Sequence, residues 1–178
     1  MIGIRIGARR ATETPGDADV TARLRDCHRR IRGFLAEAEA VAAAEAVPGT
    51  GIAPDDGPRR VSAAGVLRYF RVALPLHEAD EDASIAPRLV GSEGPVLALI
   101  EEHGVIDGLV DELARDWEAA SRGEPIADGV RHRATLARVL AIFERHLERE
   151  ESEIFPRIDA LPEDDRRAIV REMDERRR

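Results

Sequence analysis

Apolar positions recur along the chain in alternating steps of three and four. The first run is Leu24, His28, Ile31, Leu35, Ala38 and Ala42, opened by Asp17 or Asp19 as helix N-cap. A second run is Ala63, Leu67, Phe70, Leu74, His77 and Glu81, and a third is Leu99, His103, Ile106, Val110, Leu113 and Trp117. The fourth is His132, Leu136, Val139, Phe143, His146 and Glu150. Such steps turn one face of each helix toward a shared core. Val47 to Pro58 and Pro87 to Pro95 are rich in Gly and Pro and read as connections, with Pro95 at the first position of the third helix. Gly123 ends that helix and Glu124-Pro125 opens the next. Pro75 removes one backbone hydrogen bond and predicts a kink just before His77. The pattern predicts an all-α fold, an up-down-up-down four-helix bundle with a short C-terminal extra helix from Pro162. Residues 1–17 follow no period and read as a mostly loose N-terminal arm, leaving 18–178 as the bundle.

Composition agrees and removes several classes of function. Ala, Leu, Glu and Arg dominate the 178 residues and aromatics make up only 3%, which favours helix. A net charge of −8 argues against a nucleic-acid partner, which needs clustered basic surface. No window approaches the apolar length of a membrane span, and the start is too polar for a signal peptide. Cys27 is the single cysteine, so an intrachain disulfide framework is excluded and a cytoplasmic setting is expected.

Polar residues on the inward stripes change the picture. The segment His77-x-x-x-Glu81-x-x-x-Ile85-x-Pro87-Arg88 returns 69 residues later as His146-x-x-x-Glu150-x-x-x-Ile154-x-Pro156-Arg157. His28-x-x-Ile31-x-Gly33 likewise returns as His103-x-x-Ile106-x-Gly108, offset by 75. The chain is therefore two helical hairpins of one pattern. A histidine and a glutamate four apart share a helix face, about one turn (~6 Å) apart, and both can reach one metal ion through bonds of ~2 Å. In an up-down-up-down bundle His28, His77, His103 and His146 fall at one level. Four inward imidazoles without partners would be costly, and cations would satisfy them. Two histidines per ion, with Glu81 and Glu150 both bridging, give four protein ligands per ion and open positions. That set suits iron or manganese better than closed tetrahedral zinc. A ferritin-like di-iron bundle needs Glu-x-x-His. The residues three before the five histidines are Arg25, Leu74, Ile100, Gly129 and Phe143, so that motif is missing.

The ordered set His28, His77-x-x-x-Glu81, His103, His146-x-x-x-Glu150, with the Ile-x-Pro-Arg elements, resembles the hemerythrin-like family, also called the HHE cation-binding domain, over roughly residues 18–178. The resemblance implies a four-helix bundle around a non-haem di-iron centre, two iron ions with an oxo or hydroxo bridge, with manganese or zinc as substitutes. It implies chemistry on oxygen, peroxide, nitric oxide or iron levels, so the expected partner is a small diatomic or peroxide ligand. Asp107 stands where oxygen carriers of the family have a fifth histidine, and the last carboxylate comes four rather than five residues after His146. Reversible oxygen carriage is therefore not the expectation. Glu78 follows His77 and, by the resemblance, is a candidate extra ligand. Otherwise Glu78, Asp80, Asp82, Glu148, Glu151 and Glu153 read as a solvated acidic face. His132 lies about 21 Å of helix from His146 and reads as a structural or surface residue. Cys27 reads as a packed small side chain, Trp117 and Tyr69 as core or edge aromatics, and Arg176-Arg177-Arg178 as a solvated tail. Three readings follow: redox turnover of a small oxidant, a non-catalytic iron or oxygen sensor or iron-handling protein whose stability depends on metal, and a structural bundle. Oligomeric state is not legible.

Overall fold

The computed structural model describes residues 19–44, 56–89 and 93–178. The predicted arm 1–17 and parts of the 47–58 and 87–95 connections lie outside them. Helix α1 runs Val20–Ala43, with Asp19 as N-cap accepting from the Thr21 N–H at 3.1 Å. Every position of its predicted stripe is buried. Helix α2 runs Asp56–Arg68. It thus begins inside the stretch read as loop, because a helix's first turn needs no intrahelical N–H bonds and tolerates Gly57 and Pro58. A π-helical turn, Tyr69–Ala73, leads into α3, Leu74–Asp80. A second π turn, Glu81–Ile85, and a 3₁₀ turn, Ala86–Arg88, complete this rod. Helix α4 is Glu93–Ser121, so Pro95 sits at its third residue rather than its first. Helix α5, Gly129–Arg149, continues through a third π turn, Glu150–Ile154, into α6, Phe155–Asp159. Helix α7 is Glu163–Arg176.

The three π turns share one cause. Leu74, Ala86 and Phe155 donate their N–H five residues back, to Tyr69, Glu81 and Glu150, and each is followed by a proline. Proline can donate no bond to the preceding turn, so the helix widens by one residue just ahead of it. The kink expected at Pro75 takes this form. It also moves the stripe, leaving Val66 fully buried and Leu67 only partly so.

Helix α1 packs on α2, α2 on α4, α4 on α5, and α5 back on α1, closing a four-rod ring. Among the described residues there is no strand, and no helix is long and apolar enough to cross a membrane. Helix α4 ends in a Schellman turn: Glu124 N–H reaches the Ala119 carbonyl and Gly123 N–H the Ala120 carbonyl, with Gly123 at φ 79°. Helix α5 then starts at Gly129, later than Glu124-Pro125 suggested, because the Asp128 side chain caps it through the Arg131 N–H at 2.9 Å.

Two apolar clusters fill the bundle. The larger holds Ile31, Leu35, Phe70, Leu113, Trp117 and Phe143, with Phe70 stacked on Trp117 at 5.3 Å. The smaller holds Leu24, Ile85, Ile154, Phe155, Ile158, Ile169 and Met173, and α7 closes that end. The seam between them, after Leu24 and before Ile31 on α1, carries the histidines. His132 lies away from that seam, fully buried, with Nδ1 on Asp116 at 3.0 Å and Arg131 on the same carboxylate. The structural half of its reading holds.

Two expectations about charge are corrected here. Asp80 is 0% exposed rather than solvated, gripped by Arg176 at 2.8 Å and by Arg177 at 2.5 Å. Those arginines are therefore no free tail. A carboxylate loses several kcal/mol on leaving water and stays ionised only where cations replace the lost hydration.

Candidate metal centre

His28 and His103 come from within α1 and α4, His77 from the centre of the short α3, and His146 from the last turn of α5. Glu81 and Glu150 are each the first residue of a π turn. All six residues are 4% exposed or less. The Glu150 oxygens divide between two histidines: Oε2 lies 2.8 Å from His28 Nε2 and Oε1 lies 2.6 Å from His146 Nε2. Glu81 does the same, with Oε1 at 3.2 Å from His77 Nε2 and Oε2 at 3.1 Å from His103 Nε2. Two overlapping groups result, His28, His77, Glu81 and Glu150, and Glu81, His103, His146 and Glu150. Within each, the candidate ligand atoms lie within 4.8 Å of one another. Both carboxylates thus bridge two histidine pairs, His28 with His77 and His103 with His146.

The chemistry of these atoms fits cations. His77 Nε2, His103 Nε2, both Glu81 oxygens and Glu150 Oε1 are buried and make no hydrogen bond, although each has a nitrogen or oxygen close by. Their lone pairs converge on common points instead of pairing, which is costly without a Lewis acid there. Bonds of about 2 Å to imidazole and carboxylate would satisfy all of them.

Outer carboxylates orient three of the rings. Glu151 Oε1 accepts from His28 Nδ1 at 2.8 Å, Asp82 Oδ1 from His103 Nδ1 at 3.0 Å, and Glu102 Oε2 from His146 Nδ1 at 3.0 Å. A donor bond at Nδ1 leaves Nε2 free to ligate and raises its basicity. Asp82 and Glu151, read from sequence as solvated, are therefore part of the site. Each is the residue after a bridging glutamate, and each pair closes on one imidazole: Glu81 and Asp82 on His103, Glu150 and Glu151 on His28. The signal was present in the sequence as His-x-x-x-Glu-Asp and His-x-x-x-Glu-Glu. Glu102 had no repeated partner to mark it. Arg32 holds Glu151 at 3.1 Å and Arg149 holds Glu102 at 2.7 Å.

Electrostatics divide the site unevenly in the absence of cations. Burial pushes the His77 imidazole down to about 3, with the neighbouring histidines adding to the fall. Burial also raises Glu81 well above the usual carboxylate range, and the nearby Glu150 charge raises it further. Glu150 moves the other way: burial disfavours its charge, but the close imidazoles of His146 and His28 outweigh that. For His146, burial is overcome by the nearby Glu150 and Glu102 carboxylates, and its pKa rises. His103 is lowered by burial and by His146. Glu78 is 7% exposed and lifted to about 8 by burial and by Asp107. It belongs to neither ligand group, so the structure does not bring this extra candidate into the cluster.

The family model of the Hemerythrin HHE cation binding domain matches residues 19–158, which include all six inward ligands and their three outer carboxylates. No curated protein and no solved structure matches the chain. With a helical bundle, a buried His/Glu cluster suited to cations and that match, the chain belongs to the hemerythrin HHE cation-binding family.

Proposed function

We propose that this protein holds two iron ions between its four histidines and the bridging Glu81 and Glu150, and uses them to bind or reduce a small oxidant. The supporting observation is that each carboxylate offers one oxygen to each histidine pair. Four ligands per ion leave coordination positions open, which a structural zinc site does not. Iron would supply the electrons for reduction of peroxide, oxygen or nitric oxide. The chain's own part is positional and protonic. Glu151, Asp82 and Glu102 keep Nδ1 protonated and Nε2 aimed inward. Phe155, stacked 5.2 Å from His28, and Phe143, 6.4 Å from His146, wall water out. Buried Glu78, its pKa lifted to about 8 and within electrostatic reach of His146, can carry a proton to a reduced oxidant.

A sensor is the second reading, and one observation favours it. The ligands occupy the seam between the two apolar clusters, so loading would couple directly to packing of the whole bundle. The deciding experiment is elemental analysis of aerobically purified protein with its near-ultraviolet spectrum, followed by peroxide turnover on the same sample. Iron near two per chain with charge-transfer bands and turnover supports the redox reading. Iron without turnover, but with a large metal-dependent rise in melting temperature, supports the sensor. One zinc, or no metal after anaerobic iron loading, overturns both.

A further inference from the structure

Three of the four inward histidines carry an acidic partner on Nδ1, and His77 does not. Its Nδ1 is without a hydrogen-bond partner although the residue is only 3% exposed. The internal repeat explains the difference. Glu102 immediately precedes His103 and holds His146. The residue immediately preceding His28, at the same place in the other hairpin, is Cys27. A thiol is shorter than a glutamate and a weak acceptor, so it cannot play that part. Where the carboxylate would lie there is instead a cavity of about 60 Å³ lined by Cys27, Arg30, Tyr69, His77 and Arg177 among others. It shares Cys27, Arg30 and Arg177 with an outer cavity of about 260 Å³.

Beside the apolar Ala73 and Leu76, the polar groups of the lining are donors. No carboxylate borders the inner cavity. In the outer one, Asp26 is engaged by Arg29 and Arg23 by Asp174. Arg177 is shared with Asp80, whereas Arg30 bonds the Asp26 carbonyl at 3.3 Å and Cys27 Sγ at 3.8 Å, with no carboxylate partner among the described residues. His77 Nε2 turns toward Glu81 at 3.2 Å, which leaves Nδ1 as the outward donor. Since a water needs roughly 10–15 Å³ of such space, a cavity of about 60 Å³ holds about four to six water-sized groups, room enough for a small oxyanion.

We infer that this cavity binds a small oxyanion of carboxylate geometry, formate or bicarbonate in size, between His77 Nδ1–H and the Arg30 guanidinium, in the role that Glu102 fills for His146. The inference rests on the proposed function in one respect, that a metal on Nε2 fixes the proton on Nδ1. The anion accepts two charge-assisted or neutral hydrogen bonds and orients the ring as the protein's own carboxylates orient the other three. It makes the occupancy of one metal position responsive to a solute.

The test is titration of ¹³C-formate into zinc-loaded and metal-free protein, followed by NMR, with metal content measured on the same samples and metal loss to a chelator timed with and without formate. The expected result is one saturable formate per chain, binding tighter in the loaded form, and metal loss slowed about tenfold by formate, the lower end of the 10–100-fold effect of an outer partner. Arg30→Gln, at an exposed position away from the ions, should keep its metal and bind formate at least tenfold more weakly. Cys27→Glu supplies the missing carboxylate internally, and should hold metal as tightly without formate as the parent does with it. Absence of saturable binding to the parent chain overturns the inference. So does binding unchanged in Arg30→Gln, which would place formate on the metal or elsewhere. A chain that takes up no metal yet binds formate through Arg30 overturns the proposed function and upholds the cavity.

Discussion

The two copies of the His-x-x-x-Glu element differ most where they are closest in sequence. Glu150 lies 2.6 Å from its own histidine and 2.8 Å from His28, and its pKa is lowered. Glu81 lies 3.2 Å from its own histidine, makes no hydrogen bond, and its pKa is raised. Two carboxylates this near cannot both ionise at low cost without a cation, so their pKa values are pushed apart, with the proton favoured on Glu81. Identical motifs therefore acquire opposite shifts from their surroundings. Their flanks diverge as well. The residue before Glu81 is Asp80, fully buried under Arg176 and Arg177; the residue before Glu150 is Arg149, half-exposed and paired with Glu102. Cations would abolish the first difference and leave the second.

The largest effect expected is on metal content. If the proposed two-ion centre forms, Glu81→Ala and Glu150→Ala should each take it to near none by elemental analysis, because each carboxylate would serve both ions. Exposed Glu153→Ala should change nothing, and equal losses in all three would remove the ligand assignment. The copies separate in metal-free protein under denaturant. Glu150→Gln should cost about 3–5 kcal/mol by stranding its histidine partners, while Glu81→Gln, a neutral isostere of a protonated acid, stays within about 1 kcal/mol. Matching costs would mean that the proton is not divided as described. On the flanks, Asp80→Asn should cost about 2–3 kcal/mol, since the two stranded arginines can reach water, and Arg149→Gln less than about 1 kcal/mol. The last effect is a slope, spread over pH. His77 is held neutral with a depressed pKa, so its contribution is complete above 6.5 and is lost as pH falls toward 3. Metal-free wild type should lose stability relative to His77→Gln across that window, by at most about 1.4 kcal/mol per pH unit. A flat difference would show that His77 titrates normally.

The fold and the inward cluster were legible because both are periodic. Four stripes with three-and-four steps give four rods, and a repeat that doubles each ligand shows which polar residues belong together. The rest fails to repeat or depends on distance. Asp80 and its arginines lie 96 and 97 residues apart, and nothing near Asp80 in sequence marks it as buried. Asp82 and Glu151 looked like one more pair of surface acids because a helix of 3.6 residues per turn would carry them away from the site. The π turns starting at Glu81 and Glu150 change that spacing. Pro87 and Pro156 were visible, but their effect one turn earlier, on the glutamates that bridge, required the backbone.

The family match stops at residue 158, yet Asp80 is neutralised by arginines beyond it, at the end of α7. The counter-charge beside Glu81 therefore comes from a helix outside the matched segment. Without α7 the Asp80 carboxylate would stand in the bundle with no cation against it, and the second rod could bury it only at a cost of several kcal/mol. The last helix thus acts on the cluster as a latch on the rod that carries Glu81.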